Sequence, residues 1–308
     1  MEYVSIRVST LRGDQPIDFD AYVKINEKYI LYLRKGDSFE GARLKRLKEK
    51  KLKKMFITPD VEELYRNYLK KNIEVAYDNN SNKSIETRSE IIQGHQQSNT
   101  EAVFDNPEDQ AAYDETKKSA GEYVQFLLAY SAAVTSVLKI ENTDKNIAHH
   151  GVSVATLSVA LAQKLKVDPK VISLLSLGAL LHDIGHHDSP INIQRKLSEF
   201  SPEDKKAYRE HPAIGSVKVR DKKHFDQMVI KIINEHEELL DGKGFPNRLK
   251  DKQIDPLSII VGASNAYDRL ITFEGVAKQD AAKQLMIERV GSYPLTHLQY
   301  IAEIAKSL

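Results

Sequence analysis

The spacing of apolar positions changes character near residue 105. Before it, Val4, Ile6 and Val8 alternate with polar residues, and Ala21 to Ile25 and Tyr29 to Leu33 are rich in β-branched and aromatic side chains. Gly13, Asp14, Asn26 and Gly36 punctuate these runs as turns, so the pattern predicts strands. From Ser38 to Lys54 the period becomes helical, with Leu44, Leu47, Leu52 and Met55 sharing a face and Lys or Arg filling the rest. Met55 to Ile57 predicts a short strand. Thr58-Pro59-Asp60 then supplies an N-cap, a proline at the first helical position and a first-turn acid for a helix through Tyr68. Residues 1–77 thus read as a small α/β module with a regulatory or partner-binding role.

Residues 78–104 are polar and poor in aromatics, too little apolar surface to offset the entropy of ordering, and they predict an interdomain linker holding a solvated His95. From 105 to 308 the apolar positions recur at helical spacing only. Gly121 to Ile140 carries Val124, Phe126, Leu127, Val134 and Val137, and Ile147 to Leu165 carries Val152, Leu157, Val159 and Leu161. Asp168-Pro169, Ser201-Pro202 and Asp255-Pro256 each start a further helix. The second domain reads as an all-α bundle.

Composition narrows the chemistry. Lys+Arg 45 against Asp+Glu 44 gives a formal charge of +1, so nothing global favours nucleic acid or an anionic membrane as a partner. The one basic concentration, eight residues between Arg43 and Lys54, has no interleaved aromatic and reads as a solvated face. With no cysteine, a metal must be held by imidazole, carboxylate, amide or water, and a cytoplasmic location is expected. The N-terminus lacks a signal-peptide layout, and no apolar run approaches the roughly 18 residues that span a bilayer, so the chain reads as soluble.

The candidate chemistry centres on Gly178-Ala-Leu-Leu-His-Asp-Ile-Gly185, an apolar helix delivering His182 and Asp183 into the interior. His150, His211 at a helix boundary before Pro212, Glu235-His236 and Asn265 also stand at or near the ends of apolar stretches, which together point to a metal site.

The order His149-His150, Leu181-His-Asp-Ile-Gly185, His211-Pro212-Ala-Ile-Gly215, Glu235-His-Glu237 and Asp241-Gly-Lys-Gly-Phe-Pro246 resembles the HD-GYP branch of the HD superfamily of metal-dependent phosphohydrolases, with Gly-Phe-Pro in place of Gly-Tyr-Pro. The resemblance covers about residues 120–275. It implies an HD-type bundle and hydrolysis of cyclic di-GMP, to pGpG or GMP, or of a related nucleotide. It also implies two metal ions, iron first, manganese as the alternative and zinc behind both. Asp183 would bridge them, with His150, His182 and Asn265 completing one site and His211, Glu235 and His236 the other. The alternative is a catalytically impaired member that binds nucleotide or a signalling partner.

Departures from the family pattern motivate that alternative. The family aspartate is Asn265, with Asp268 a second candidate three residues on; the first histidine of His-His-Glu is Glu235; and the tyrosine is Phe245. The lysine after His-Asp-x-Gly is His186, expected to be catalytic with Asp183 and to bind substrate through a ring charged only part of the time at pH 7. Lys243, Phe245 and Arg269 are the other candidate substrate contacts. A third metal in some members uses a glutamate where this chain has Asn146, so two metals are expected. His149 is expected to pack or support, and His187 to lie at the mouth or surface.

Overall fold

The structure, a computed structural model, describes residues 2–308 apart from 13, 14, 39–45, 47–49, 51, 53, 143 and 188, with the backbone alone at residue 9. The chain divides into two compact units, Met1–Ser98 and Asn99–Leu308.

In the first unit the alternating runs form four strands: β1 (Val4–Arg7), β2 (Ala21–Ile25), β3 (Lys28–Leu33) and β4 (Lys54–Ile57). They make one antiparallel sheet in the order β1-β4-β2-β3. The inward positions Ile6, Ala21, Val23, Leu33, Met55 and Ile57 pack with Ile17, Phe19 and Tyr65 into one core. Each large side chain buried here contributes on the order of 2 kcal/mol. After a 3-10 turn at Pro59–Val61, helix α1 (Glu62–Tyr77) covers this core with Tyr65, Tyr68 and Leu69, running nine residues past the expected Tyr68. The Lys-rich helix expected between Arg43 and Lys54 lies largely outside the described residues, as does the Gly13-Asp14 turn.

The expected linker is corrected. Most of it forms helix α2 (Ile85–Asp105), which straddles the division between the units. Several of its polar side chains are hydrogen-bonded rather than solvated: Arg88 Nε donates to the Ala76 carbonyl (2.6 Å), Glu90 pairs with Arg12 (2.8 Å) and Gln93 bonds Gln97 (3.1 Å), while Ile91 and Ile92 are buried. Low apolar content did not prevent order because hydrogen bonds took up these polar groups. His95 is half-buried on this helix.

The second unit is helical: α3 (Gln110–Ala129), α4 (Ala133–Leu138), α5 (Ile147–Lys164), α6 (Pro169–Leu181), α7 (Pro202–Val219), α8 (Gln227–Glu235), α9 (Pro256–Thr272), α10 (Lys278–Glu288) and α11 (Leu295–Ala305). The run Gly121 to Ile140 is broken at Tyr130–Ala132 into two helices. The predicted caps form: Asp168, Ser201 and Asp255 accept the N–H of Lys170, Asp204 and Leu257, each worth about 1 kcal/mol. Helix α5 is buried along almost its whole length and is packed by α6 and α9; α8 packs on α6 and α7.

Two glycines let these helices meet. After α6 the chain makes a 3-10 turn, Ile184–His186, seated on α7. A Cβ at Gly185 would lie 2.0 Å from the His211 carbonyl oxygen and 2.8 Å from the Gly215 nitrogen. Backbone therefore touches backbone where Asp183 approaches His211. Gly185→Ala is expected to force these segments apart and cost about 3 kcal/mol or more, read as a lower Tm in thermal denaturation; an unchanged Tm would show that the contact is not needed.

Candidate metal centre

Four imidazoles and one carboxylate converge inside the second unit. His150 comes from the start of α5, His182 and Asp183 from the end of α6, His211 from the middle of α7 and His236 from the end of α8. All five are buried. The Nε2 atoms of His182, His211 and His236 stand 3.5, 3.3 and 3.6 Å from Asp183 Oδ1, and that of His150 stands 3.7 Å from Oδ2.

Each ring is turned by a bond from its other nitrogen. Nδ1 of His182 donates to the Ala179 carbonyl (2.7 Å), that of His211 to Tyr208 (2.7 Å) and that of His236 to Ile233 (2.9 Å). Ala179 and Ile233 lie in the last turns of α6 and α8, where the backbone ladder runs out of donors. Tyr208 is four residues before Pro212, which has no N–H to offer its carbonyl. Pro212 lies inside α7 and not at a helix start, which corrects the expected boundary at His211; the ring of His211 takes the bond that Pro212 leaves open. His150 instead donates Nδ1–H to Asp268 Oδ2 (2.6 Å), and Thr272 Oγ1 also donates to that oxygen (2.9 Å).

With Nδ1 protonated, Nε2 of each ring in its neutral form presents a lone pair to the interior, as a metal-binding histidine must. His211 Nε2 and His236 Nε2 face each other at 2.9 Å, lone pair toward lone pair when both rings are neutral. His182 Nε2 is buried without a hydrogen-bond partner among the described residues. Two lone pairs at that separation and an orphaned buried nitrogen are repaid only by a cation, so the donor set fits metal ions. Two three-residue groups could hold one: His150 with His182 and Asp183, and Asp183 with His211 and His236.

The electrostatics separate the rings. Burial pushes His182 down to about 3, keeping it neutral. Burial opposes charge on Asp183, yet His182, His211 and His236 hold its carboxyl well below the usual range. Burial likewise works against charging His150 and His236, but Asp268 raises the first, and Asp183 with Glu237 raises the second.

The remaining sequence candidates fall at different distances from this cluster. Asn265 Oδ1 lies 3.0 Å from His150 Nε2, and its Nδ2 donates to Glu237 Oε1 (3.2 Å), which turns the amide oxygen inward. Asp268 orients His150 and is not itself among the converging groups. Glu235 is not brought into the cluster: its Oε2 accepts the Asp255 N–H (2.9 Å) at the start of α9, and burial raises its pKa. Helix α8 ends there, so adjacent side chains diverge and only His236 turns inward. His186 is buried and stacked on His211 (centroids 3.8 Å apart), and burial, then His211, lowers its pKa well below the ordinary value; the partly charged ring expected at pH 7 is a neutral one. Phe245 packs edge-on to His211 (6.2 Å) and Tyr208 (6.0 Å). Lys243 points outward, its side chain 82% exposed and its Nζ 3.1 Å from Asp241. Arg269 is buried against Tyr208 and Phe273. Asn146 caps α5 by accepting the His149 N–H (3.1 Å) and donates to Glu101 (3.0 Å). His149 is buried at that cap, and His187, exposed, lies 3.5 Å from Asp105.

Sequence reasoning assigned no role to Tyr208 or Glu237. Tyr208 OH donates to Glu237 Oε1 (2.9 Å), the same oxygen that Asn265 engages, so this carboxylate ties α7 to α9 behind the cluster. The readable signal was the proline four residues after Tyr208.

A helical bundle enclosing a buried His/Asp cluster is the architecture of the metal-binding HD domains, and residues 132–293 match the HD domain family (HD_5), to which the chain belongs. The structure is similar to that of Bd1817, a HDG"Y"P protein from Bdellovibrio bacteriovorus, with a TM-score of 0.95 and 60% identity over 99% of this chain and 100% of that one. The chain is also 28% identical over 144 residues to cyclic di-GMP phosphodiesterase PA4108 of Pseudomonas aeruginosa, which is 47% of this chain and 35% of that protein. It is 30% identical over 142 residues to cyclic di-GMP phosphodiesterase PdeB of Borreliella burgdorferi, which is 46% of this chain and 37% of that protein. The chain thus matches little more than a third of the length of these two relatives. The HD-GYP resemblance read from the motifs is borne out. Among the described residues no helix is long and apolar enough to cross a membrane.

Glu235→Gln is expected to leave the metal content of the purified protein unchanged, while His236→Ala removes at least one ion per chain, both read by elemental analysis. Loss of metal from the Gln variant would restore Glu235 as a ligand.

Proposed function

We propose that the chain is a dinuclear-metal phosphodiesterase of the HD-GYP type that hydrolyses cyclic di-GMP, to pGpG or on to GMP, or a related cyclic dinucleotide. The observation carrying this reading is the pair of Nε2 lone pairs of His211 and His236 opposed at 2.9 Å across from Asp183, with His150 and His182 on its other side. His150, His182, Asp183 and Asn265 would hold one ion and Asp183, His211 and His236 the other. All-nitrogen and oxygen ligation without sulfur suits iron, with manganese as the alternative.

When bound, the ions supply Lewis acidity toward a phosphoryl oxygen and a more acidic water. The chain's own groups do the rest. Asp183 holds both ligand sets at one carboxylate. Asp268 keeps the proton on His150 Nδ1, which leaves Nε2 as the nitrogen that would face an ion. The Tyr208 and Asn265 bonds to Glu237 hold the amide oxygen inward. His186, neutral and with Nδ1 free of hydrogen-bond partners among the described residues, is assigned to a phosphoryl or leaving-group oxygen. One water per cleaved phosphodiester gives a phosphomonoester and a hydroxyl.

The burial of His186 and the missing hydroxyl of Phe245 favour a second reading, an impaired enzyme that binds nucleotide for signalling. The iron- or manganese-loaded chain, its metal content verified, is expected to turn over cyclic di-GMP, and Asp183→Ala to lose both metal and turnover. Micromolar binding with no product from the loaded protein would establish the binding module instead; neither binding nor product from any cyclic dinucleotide would end both readings.

A further inference from the structure

Arg269 is a buried cation with no ion-pair partner among the described residues. It lies four residues after Asn265, hence on the same face of α9 and one turn along, next to Asp268. The residue is 9% exposed, and its Nε and Nη2 are buried with no hydrogen-bond partner among the described residues. Its guanidinium carbon stands 4.7 Å from the Tyr208 ring centroid and 5.1 Å from that of Phe273. Tyr208 reaches the cluster through Glu237, and Phe273 stacks edge-on against His150 at 5.2 Å. Two aromatic faces thus hold the guanidinium beside the cluster while leaving its in-plane donors unused.

The other candidates for a cationic contact do not fill this place. His186 is packed on His211, and Lys243 is spent on Asp241 at the surface. The carboxylates near Arg269 are occupied: Asp268 by His150 and Thr272, and Glu237 by Tyr208 and Asn265. A buried guanidinium with free donors is costly, and such a group persists where a ligand supplies the anion. Its planar fork matches two phosphoryl oxygens.

We propose that Arg269 is a phosphate-binding residue of this site, its guanidinium donating to the non-bridging oxygens of a phosphodiester or of the phosphomonoester product. This rests on the phosphodiesterase reading for the identity of the substrate, but the anion contact itself is independent of turnover.

The test uses the full, manganese-loaded chain and inorganic phosphate as the probe, with binding measured by calorimetry and by the phosphate-induced rise in Tm. Arg269→Gln and Arg269→Met are expected to retain wild-type metal content and to weaken phosphate binding roughly ten- to hundredfold. Arg269→Lys is expected to recover part of it. Without phosphate, Arg269→Met is expected to melt higher than the wild type by about 2 °C or more, because an unpaired buried charge has been removed. Phosphate binding unchanged in the Gln and Met variants, or a lower phosphate-free Tm with binding intact, would overturn the proposal and make Arg269 a structural strut. Loss of phosphate binding in a protein that hydrolyses no cyclic dinucleotide would support Arg269 while removing the phosphodiesterase reading.

Discussion

The centre depends on one kind of bond, the hydrogen bond from a histidine Nδ1 to a fixed acceptor behind it. It selects the tautomer, sets the ring's direction and delivers a lone pair to a point shared with Asp183. Three of the four acceptors are backbone carbonyls that helix geometry has left over, at the ends of α6 and α8 and opposite Pro212 in α7. The protein thus uses an unavoidable defect of helix termini, which would otherwise cost energy when buried, as the tether for its ligands. The fourth, Asp268, is a carboxylate, and it makes His150 the most strongly oriented of the set.

Everything around these bonds serves to bring their helices close. Gly185 and Gly215 remove the side chains that would keep the Ile184–His186 turn off α7. Helix α9 contributes three roles on one face: Asn265 toward His150, Asp268 behind His150, and Arg269 over Tyr208. Glu237 binds this face to α7 through Tyr208. Imidazole nitrogens therefore surround Asp183 in a buried region where charges interact strongly, an arrangement suited to metal ions.

The strands, the caps at Asp168, Ser201 and Asp255, and the five inward groups were legible because period and turn chemistry are local, and because each ligand ends or interrupts an apolar run. Helix α2 was not legible: its order comes from Arg88, Arg12 and Gln93 finding partners, and side-chain pairing leaves no trace in hydropathy. The place of Pro212 inside α7 was missed for a related reason, since a proline reads as a start signal unless something takes the carbonyl it strands. Glu235 and Glu237 flank His236 identically in the sequence, and only the ending of α8 decides that one bonds Asp255 while the other joins Tyr208 and Asn265.

The most direct test of this account is anomalous diffraction from crystals of the protein loaded with manganese or iron. The account predicts two peaks flanking Asp183, each about 2.0–2.3 Å from its ligands, one between His150 and His182 and the other between His211 and His236, with Glu235 bound to neither. A single peak, or metal bound away from Asp183, would contradict it.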